Sequence, residues 1–400
     1  MSVIQLAVTL VTTAGVSFRG VSKVFIHLNL CLRLNLDIPT HTTVLNWTKK
    51  QGISQFMSKD FYQHQKWVLI ADESIQFGNK KLLLILAVPE DRCRQGRALS
   101  YKDITPLVLK VGSSWKAETI ASEIKNHITL EQISYCVSDA GSNLTCAFKL
   151  LNHTHIHDVN HAFSLIIKSV YENNSLFNEY TKSLSLLRAQ KSMSKIARIV
   201  PPNQRIMSRF MNLMPLFEWG MKMIDLLANN QLDNDEKDVL SFLETYKEFI
   251  FESYQVLVCL NEMQTILKIN GFNAKSTKKA KTLLSDMKKG NSLKIRNKVE
   301  EYLRDIISKA KGKTICCSSD IIESCMSKYK SLVKGNKSVG ISDLSLCVAA
   351  MMGISDLEKT AKAMETVKIK QVKEWKAENV SKTLFAEKIE LNKKLTEIII

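Results

Sequence analysis

Two short apolar runs, each followed by an aspartate, decide the fold of this chain. The run WVLIA at 67–71 precedes Asp72, and the run ISYCV at 133–137 precedes Ser138 and Asp139. Runs of this length that contain no charged residue are typical of buried β-strands. Each run therefore predicts a strand with a carboxylate at its C-terminal end.

Three further strands and two amphipathic helices complete the pattern. They are strands at 82–88, 107–111 and 153–157, and helices at 115–128 and 144–151. The order of three strands, helix, strand, helix and strand resembles that of the α/β ribonuclease H-like fold. In that fold the first and fourth strands are neighbours, and α/β sheets commonly bind ligands at the carboxyl ends of their strands. We therefore expect Asp72 and Asp139 to lie side by side.

The regions that flank these strands have helical patterns. The long stretch from 159 to 312 has no strand signal and predicts an all-α domain inserted into the sheet domain. The predicted organisation has five regions. A helix-turn-helix-like DNA-binding unit spans 1–58, the first part of the catalytic core spans 62–165, and the all-α insertion spans 166–312. The end of the core, with a glutamate-bearing helix, spans 313–345, and a helical tail spans 346–400.

Residues 1–58 follow a pattern of helix, turn and basic-ended helix. A cap at Thr40 or Thr42 and an end at Gly52 would frame a helix that finishes with Lys49 and Lys50. A helix-turn-helix unit needs such a second helix to enter the major groove of DNA. A plain helical hairpin fits the pattern equally well. The chain also enters this unit abruptly, which leaves open that a segment precedes it.

The charge balance favours a polyanionic partner. The 400 residues include 56 Lys and Arg against 39 Asp and Glu, for a net charge of +17, and a basic stretch runs from 275 to 298. This excess suits nucleic acid or an acidic membrane surface. No apolar run reaches the roughly 18 residues that span a bilayer. Nine scattered cysteines with no CxxC pair indicate a reducing compartment, so we expect a soluble, cytoplasmic protein.

The two aspartates suggest metal-dependent chemistry on phosphodiesters. Two Mg²⁺ ions about 4 Å apart activate the attacking oxygen and neutralise the leaving oxygen. Mg²⁺ prefers oxygen ligands and keeps several waters, so a few carboxylates hold the pair. A third carboxylate is expected from a helix that packs on the sheet. The candidates are Glu218, Glu244, Glu252, Glu262 and Glu323.

One of these glutamates lies in a segment that resembles a known family. The stretch SDIIES at 319–324, followed by KYK at 328–330, is similar to the glutamate-bearing helix of bacterial cut-and-paste insertion-sequence transposases, in which a Lys follows the catalytic Glu by seven positions. Glu323 and Lys330 have this spacing, which is about two helical turns and places both side chains on one face. The Tyr and Arg that precede the Glu in that family are absent, and Ser319 stands in place of the Arg.

The resemblance implies a DDE-type DNA transposase of a prokaryote. Asp72, Asp139 and Glu323 would be the catalytic residues and the ligands of two Mg²⁺ ions, with Mn²⁺ as a substitute. Lys330 and Lys328 would contact DNA. The expected partners are double-stranded DNA, both transposon ends and target, and a second copy of the chain in a homodimer on DNA. No membrane partner is expected.

The segment DVNH at 158–161 supports the same resemblance. Many transposases of this superfamily have an Asp or Cys, two residues and a His between the second Asp and the Glu, just before an all-α insertion. Asp158 and His161 would therefore support the metal ligands or contact DNA. A zinc site with His153, His155, His157 and His161 beside Asp158 is one alternative, although no cysteine lies nearby at ligand spacing. A solvated face of a short edge strand is the other.

Three residues of the insertion are further candidates for DNA contact. Arg205 and Arg209 lie one helical turn apart, a spacing that suits successive phosphates. Trp219 has a ring that can stack on an unpaired base. The alternatives are surface salt bridges for the arginines and a buried position for the tryptophan.

Two other functions fit the same residues. A non-catalytic DNA-binding protein derived from a transposase would keep the fold and the positive charge. A ribonuclease H-like nuclease would keep the carboxylates but would not join DNA strands. The recognised end sequence, the target preference and the excision route leave no signal in the sequence.

Overall fold

The computed structural model describes most of the chain: residues 1–57, 66–77, 80–94, 96–204, 209–333, 341–353, 356–382, 386–389 and 391–392. The chain divides into two compact units. The first contains Met1–Cys93, Leu99–Ile156 and Ser319–Ile400, and the second contains Arg94–Ala98 and His157–Ser318.

The first unit combines a sheet with helices from both ends of the chain. Its helices are α1 (Ser2–Thr12), α2 (Phe18–Leu32), α3 (His41–Met57), α4 (Ala117–His127), α5 (Ser142–Leu150), α13 (Asp320–Val333), α14 (Leu346–Ala350), α15 (Leu357–Thr366) and α16 (Ile369–Asn379). The strands of the sheet are β1 (Trp67–Phe77), β2 (Lys80–Pro89), β3 (Thr105–Gly112), β4 (Ile133–Ser138) and β5 (His155–His157).

The five strands form one mixed sheet in the order β3-β2-β1-β4-β5. β1 pairs antiparallel with β2, which pairs antiparallel with β3, while β1 and β4 are parallel. The predicted neighbourhood of the first and fourth strands is therefore confirmed. A parallel pair needs a crossover connection, and the chain between β1 and β4 includes β2, β3 and α4.

The sheet is held by an apolar core on the face that α4 and α5 cover. Ile120 and Ile124 of α4 and Phe148 of α5 are fully buried in the same cluster as Leu69 of β1 and Ile85 of β2. Each such side chain contributes roughly 1.5–3 kcal/mol when it is removed from water. The apolar runs of the sequence are thus the inner strands, and their burial explains why they lack charged residues.

The first strand is longer than its apolar run predicts. β1 does not end at Asp72 but continues to Phe77, where it pairs with Lys80 at the start of β2. The register shifts between Asp72 and Ile75, as at a β-bulge. Asp72 therefore lies within the strand, because the antiparallel pairing with β2 extends the ladder beyond the apolar residues.

Helix α3 lies at the centre of the helical part of the first unit. It packs against α14, α15 and α16. Lys49 Nζ lies 2.7 Å from Asp343 Oδ2, and Lys50 Nζ donates to the carbonyl of Met364 at 3.1 Å. The two lysines that were expected to end a groove-reading helix are thus engaged within the unit. DNA binding by residues 1–58 stays a prediction, and these lysine contacts do not support it.

The start of α3 follows the prediction, but its end does not. The hydroxyl of Thr40 accepts a hydrogen bond from the N–H of Thr43 at 3.2 Å, as a helix cap does. Gly52, expected to end the helix, lies inside it and faces α14: a Cβ there would sit 2.3 Å from the carbonyl oxygen of Leu346. The glycine permits close packing of two helices and does not serve as a terminator.

The described residues of the second unit form helices joined by loops, apart from His157 at the end of β5 and one isolated bridge between Phe272 and Ile315. An aromatic cluster joins several of its helices, including Tyr171, Phe177, Tyr180, Phe217 and Phe249. The helices are α6 (Val159–Tyr171), α7 (Ser175–Lys191), α8 (Met214–Ala228), α9 (Asn234–Leu240), α10 (Leu243–Asn270), α11 (Ala274–Leu283) and α12 (Gly290–Ala310).

A search of the described helices finds none that combines the length and the apolar character needed to cross a membrane.

Substitution of Gly52 tests the close packing of α3 on α14. We expect Gly52→Ala to lower the free energy of unfolding by about 1–3 kcal/mol, because the backbone of Leu346 has to move away from the new methyl group. The measurement is urea unfolding followed by circular dichroism. Thr42→Ala, at an exposed position of the same helix, is the control and should change stability by less than about 0.5 kcal/mol. Stabilisation by Gly52→Ala would show that the gain in helix propensity outweighs any clash.

Candidate functional site

Asp72 and Asp139 lie side by side at the centre of the sheet. The last paired residues of the parallel strands are Ala71 of β1 and Ser138 of β4, and each aspartate directly follows one of them. Adjacent strands are about 4.8 Å apart, so the two carboxylates begin from neighbouring backbone positions. Both residues are half-buried. This is the pairing that the sequence predicts.

The turn after β4 holds the carboxylate of Asp139 in place. The N–H of Gly141 donates to Asp139 Oδ1 at 3.0 Å. A Cβ on Gly141 would lie 2.9 Å from the same oxygen, so a glycine is needed for this approach. The other carboxylate oxygen of Asp139 takes no part in this hydrogen bond.

The backbone at Asp139 has a second support that the sequence analysis missed. The buried hydroxyl of Ser138 donates to the carbonyl oxygen of Asp139 at 2.8 Å and lies 2.8 Å from Nε2 of His155 on β5. Since the serine proton goes to Asp139, the imidazole donates through Nε2. The alternation of histidines at 153–157 was the available signal, and the structure gives His155 a positioning role.

A third carboxylate, Glu73, lies next to Asp72 in the chain. Its Oε1 accepts from Nδ2 of Asn143 at 3.3 Å, and its Oε2 lies 3.9 Å from Nζ of Lys81. These contacts tie β1 to the first turn of α5 and to β2. Glu73 thus has an amide donor and a lysine beside it, and sequence reasoning did not single it out from Asp72.

The helix that carries Glu323 packs on the strand that carries Asp72. α13 contacts β1 and turns a buried face, with Ile322, Cys325 and Tyr329, towards the unit. Glu323 and Lys330 are both exposed, in agreement with their predicted position on one face of the helix. The first turn of α13 also contains Asp320.

The three predicted ligands do not form a complete set in this structure. Among the described residues, no three His, Cys, Asp or Glu side chains form a group that could hold a metal ion. This finding covers both the Asp-Asp-Glu set and the zinc alternative at the histidines. The structure therefore brings Asp72 and Asp139 together and places the glutamate helix on β1, but Glu323 does not complete a metal-binding group with them.

One contact cluster fixes α13 from the side of the sheet. The hydroxyls of Tyr101 and Ser324 are 2.6 Å apart, and Ser324 directly follows Glu323. Lys328 Nζ lies 3.9 Å from the centre of the Tyr101 ring and donates to the carbonyl of Thr12 at 3.3 Å. Desolvation lowers the pKa of Lys328 and raises that of Tyr101. We call Tyr101, Ser324 and Lys328 the tyrosine clamp.

The tyrosine clamp changes the interpretation of Lys328. The ammonium that was expected to contact DNA binds a carbonyl and an aromatic ring within the first unit. Lys330 is exposed, and its contact with DNA stays a prediction. Nothing in the sequence marked Tyr101, because its partner lies more than 200 positions away along the chain.

Asp158 and His161 belong to the second unit, where they begin a helix. Asp158 is fully buried and caps α6: its Oδ1 accepts from the N–H of His161 at 3.0 Å. A fully buried carboxylate cannot contact DNA, so that part of the prediction is wrong for Asp158. The DVNH segment is a helix start, and its support of the metal ligands stays a prediction.

The structure assigns Trp219 to the core. The ring is 9% exposed, and its Nε1 donates to the carbonyl of Ile199 at 3.1 Å. Stacking on an unpaired base is therefore wrong for this conformation, because the ring and its donor are already occupied. Arg205 lies outside the described residues. Arg209 starts a short 3₁₀ turn, but its side chain is not described.

Comparison of the sequence with models of protein families and with curated proteins gives no match.

Removal of the Tyr101 hydroxyl tests the tyrosine clamp. We expect Tyr101→Phe to destabilise the protein by about 1 kcal/mol, and Ser324→Ala to do the same, because each removes one partner of a single hydrogen bond. The double variant should cost little more than either single one, which a double-mutant cycle of unfolding free energies measures. Tyr254→Phe, at a half-buried tyrosine, is the control. Strictly additive effects would contradict a direct bond.

Proposed function

We propose that this chain is a DDE-type DNA transposase with a ribonuclease H-like catalytic domain. Its active site would use Asp72, Asp139 and Glu323 to bind two Mg²⁺ ions, or Mn²⁺ in their place. The observation that carries the proposal is the parallel register of β1 and β4, which puts two aspartates at adjacent backbone positions. A glutamate-bearing helix packed on β1 supports it.

The strand order also supports the proposal. The order β3-β2-β1-β4-β5, with only β1 and β4 paired in parallel among the three strand pairs of known register, resembles the sheet of ribonuclease H-like enzymes. A helical unit of residues 157–318 separates that sheet from the glutamate helix along the chain. This arrangement is similar to the interrupted catalytic domain of insertion-sequence transposases.

The proposed chemistry consists of two in-line displacements at phosphorus. Water first cleaves a strand at the transposon end, and the liberated 3′-hydroxyl then attacks a phosphodiester of the target. In the proposed site, Asp72 and Asp139 supply oxygen ligands that the sheet holds rigidly. Bound metal ions would activate the attacking oxygen and neutralise the leaving oxygen. The net charge of +17 suits DNA as the substrate, and two DNA ends suit a homodimer.

The exposed position of Glu323 suggests when the site is completed. Because no three-carboxylate group is formed in the described residues, we infer that Glu323 joins the two aspartates when DNA and metal bind. Ordering of a site on binding is common in proteins that act on large partners. The tyrosine clamp holds Ser324 and Lys328, so the glutamate side chain moves from a fixed helix position.

Substitution of Asp139 tests the enzymatic proposal. We expect Asp139→Asn to reduce Mg²⁺- or Mn²⁺-dependent strand cleavage by roughly a thousandfold or more, because one charge that holds the metal pair is lost. The substrate is duplex DNA from the flanks of the gene, and the measurement is gel analysis of cleaved and joined strands. Glu118→Gln, at an exposed carboxylate of α4, is the control. Cleavage that persists in Asp139→Asn would refute the assignment.

A second test asks whether Glu323 becomes a metal ligand only when DNA binds. In the absence of DNA, Glu323→Gln should leave the Mn²⁺ dissociation constant within about twofold, whereas Asp72→Asn should raise it about tenfold or more. Isothermal titration calorimetry measures both constants. Cleavage of DNA should be lost in both variants. Equal weakening of Mn²⁺ binding by the two substitutions would show that Glu323 is already a ligand before DNA binds.

A non-catalytic DNA-binding protein is the second candidate. A decayed or repurposed copy of a transposase would keep the fold and the positive charge, which is +17 here, without cleaving DNA. Normal binding of the end sequence with no cleavage in Mg²⁺ or Mn²⁺ would support this candidate. Cleavage without joining to a second duplex would instead indicate a ribonuclease H-like nuclease.

A further inference from the structure

A cavity in the second unit is lined by none of the residues of the proposed active site and has no role in the proposed reaction. It is enclosed by the first helical turns of α11, the last turn of α12 and the residues that follow α12, and its volume is about 650 Å³. Small-molecule sites commonly fall in the range of roughly 300–1,000 Å³. All residues that line it belong to His157–Ser318, so the cavity is formed within one compact unit.

The floor of the cavity is apolar and preformed. Phe272, Ile307 and Ala310 contribute to it, and Phe272 is 1% exposed. The backbone of Phe272 exchanges two hydrogen bonds with Ile315, at 2.7 and 3.0 Å, and its ring packs edge-to-face on Tyr302 at 5.9 Å. These contacts fix Phe272 beneath the lining, while Ile307, which is 42% exposed, gives the cavity an accessible apolar surface.

The rim of the cavity is basic. Lys278 and Lys281 are exposed and lie three positions apart on α11, which places them on one face, and Lys313 lines the opposite side. Neither Lys278 nor Lys281 has an ion-pair partner among the described residues, and the described lining includes no Asp or Glu. Two unpaired ammonium groups beside an apolar floor favour an anion that carries an apolar part.

The N-terminal end of α11 adds polar groups that suit the same ligand. The side chain of Asn273 caps the helix by accepting from the N–H of Ser276 at 2.9 Å, and Ala274 at the first helical position lines the cavity. Thr277, one turn further, also lines it. Thr277 is 5% exposed, and its hydroxyl has no hydrogen-bond partner among the described residues. A buried unpaired hydroxyl has a desolvation cost, which a ligand would offset once rotation of the Thr277 side chain brings the hydroxyl to it.

We propose that this cavity binds a nucleotide. The phosphate lies between Lys278, Lys281 and the N-terminal turn of α11, where the helix dipole favours negative charge. The base packs on Ile307, the accessible apolar side chain of the floor. The same chemistry is offered by a free nucleotide and by one nucleotide of a single DNA strand. The proposal is independent of the carboxylate site, because it concerns binding by the second unit.

The test compares two double variants of one helix. Lys278→Gln with Lys281→Gln removes two charges that line the cavity, whereas Lys275→Gln with Lys279→Gln removes two exposed charges of α11 that do not. Isothermal titration of the full chain with deoxyadenosine monophosphate at 150 mM NaCl measures the dissociation constant. We expect the first variant to weaken binding about tenfold or more, and the control to change it by less than about threefold.

A blocking variant keeps the charges and tests the space. Ala274→Phe, at an exposed position of the lining, should weaken the nucleotide about tenfold or more because its ring occupies the mouth of the cavity. Circular dichroism verifies that each variant is folded. Inorganic phosphate and adenosine, tested separately, should each bind at least about tenfold more weakly than the nucleotide, since each offers one half of the contacts.

The outcomes distinguish a free nucleotide from a nucleotide of a DNA strand, and they can overturn the proposal. An octamer of deoxythymidine that binds more tightly than the mononucleotide, with the same dependence on Lys278 and Lys281, identifies a DNA strand as the source. Weaker binding of the octamer identifies a free nucleotide. Equal losses in the cavity variant and its control, no saturable binding of the mononucleotide, or phosphate binding as tight as the nucleotide would each refute the site. Loss of cleavage in Asp139→Asn leaves these binding results unaffected.

Discussion

The parallel pairing of β1 with β4 is the constraint on which the first unit depends. It places Ala71 opposite Ser138, and as a consequence Asp72 and Asp139 leave the ladder at the same level. A shift of one residue in this register would send every side chain of a strand to the opposite face. Burial of Leu69 and Cys136 in one apolar cluster stabilises the register, so the geometry of the carboxylates follows from the packing beneath them.

The elements that depend on local pattern were predictable, and those that depend on distant contacts were not. The buried strands follow from apolar runs, and the pairing of Asp72 with Asp139 was expected from the resemblance of the strand order to the ribonuclease H-like fold. The extension of β1 to Phe77 does not, because it depends on pairing with β2 beyond the apolar run. Glycine is typical of helix ends, yet Gly52 lies inside α3, where it allows close packing against Leu346, almost 300 residues away along the chain.

The candidate site shows the same division. Spacing predicted the shared face of Glu323 and Lys330, and the roles of the three carboxylates stay predictions, while burial decided the outcome for Asp158 and Trp219. Asp158 is a helix cap, and the buried Trp219 donates to a carbonyl of its own unit. The support from Ser138 and His155 depends on β5 lying beside β4, which spacing alone does not reveal.

The supports of α13 come from three distant parts of the chain. Thr12 accepts a hydrogen bond from Lys328, Leu332 packs against the apolar cluster of α1, α2 and α3, and the carbonyl of Tyr101 accepts from the N–H of Gly353 at 2.6 Å. During synthesis on the ribosome, the sheet and its two aspartates emerge long before Gly353. The glutamate helix therefore reaches its supported position only after translation has passed that residue, and a nascent chain that already has the sheet still lacks part of the frame that holds Glu323.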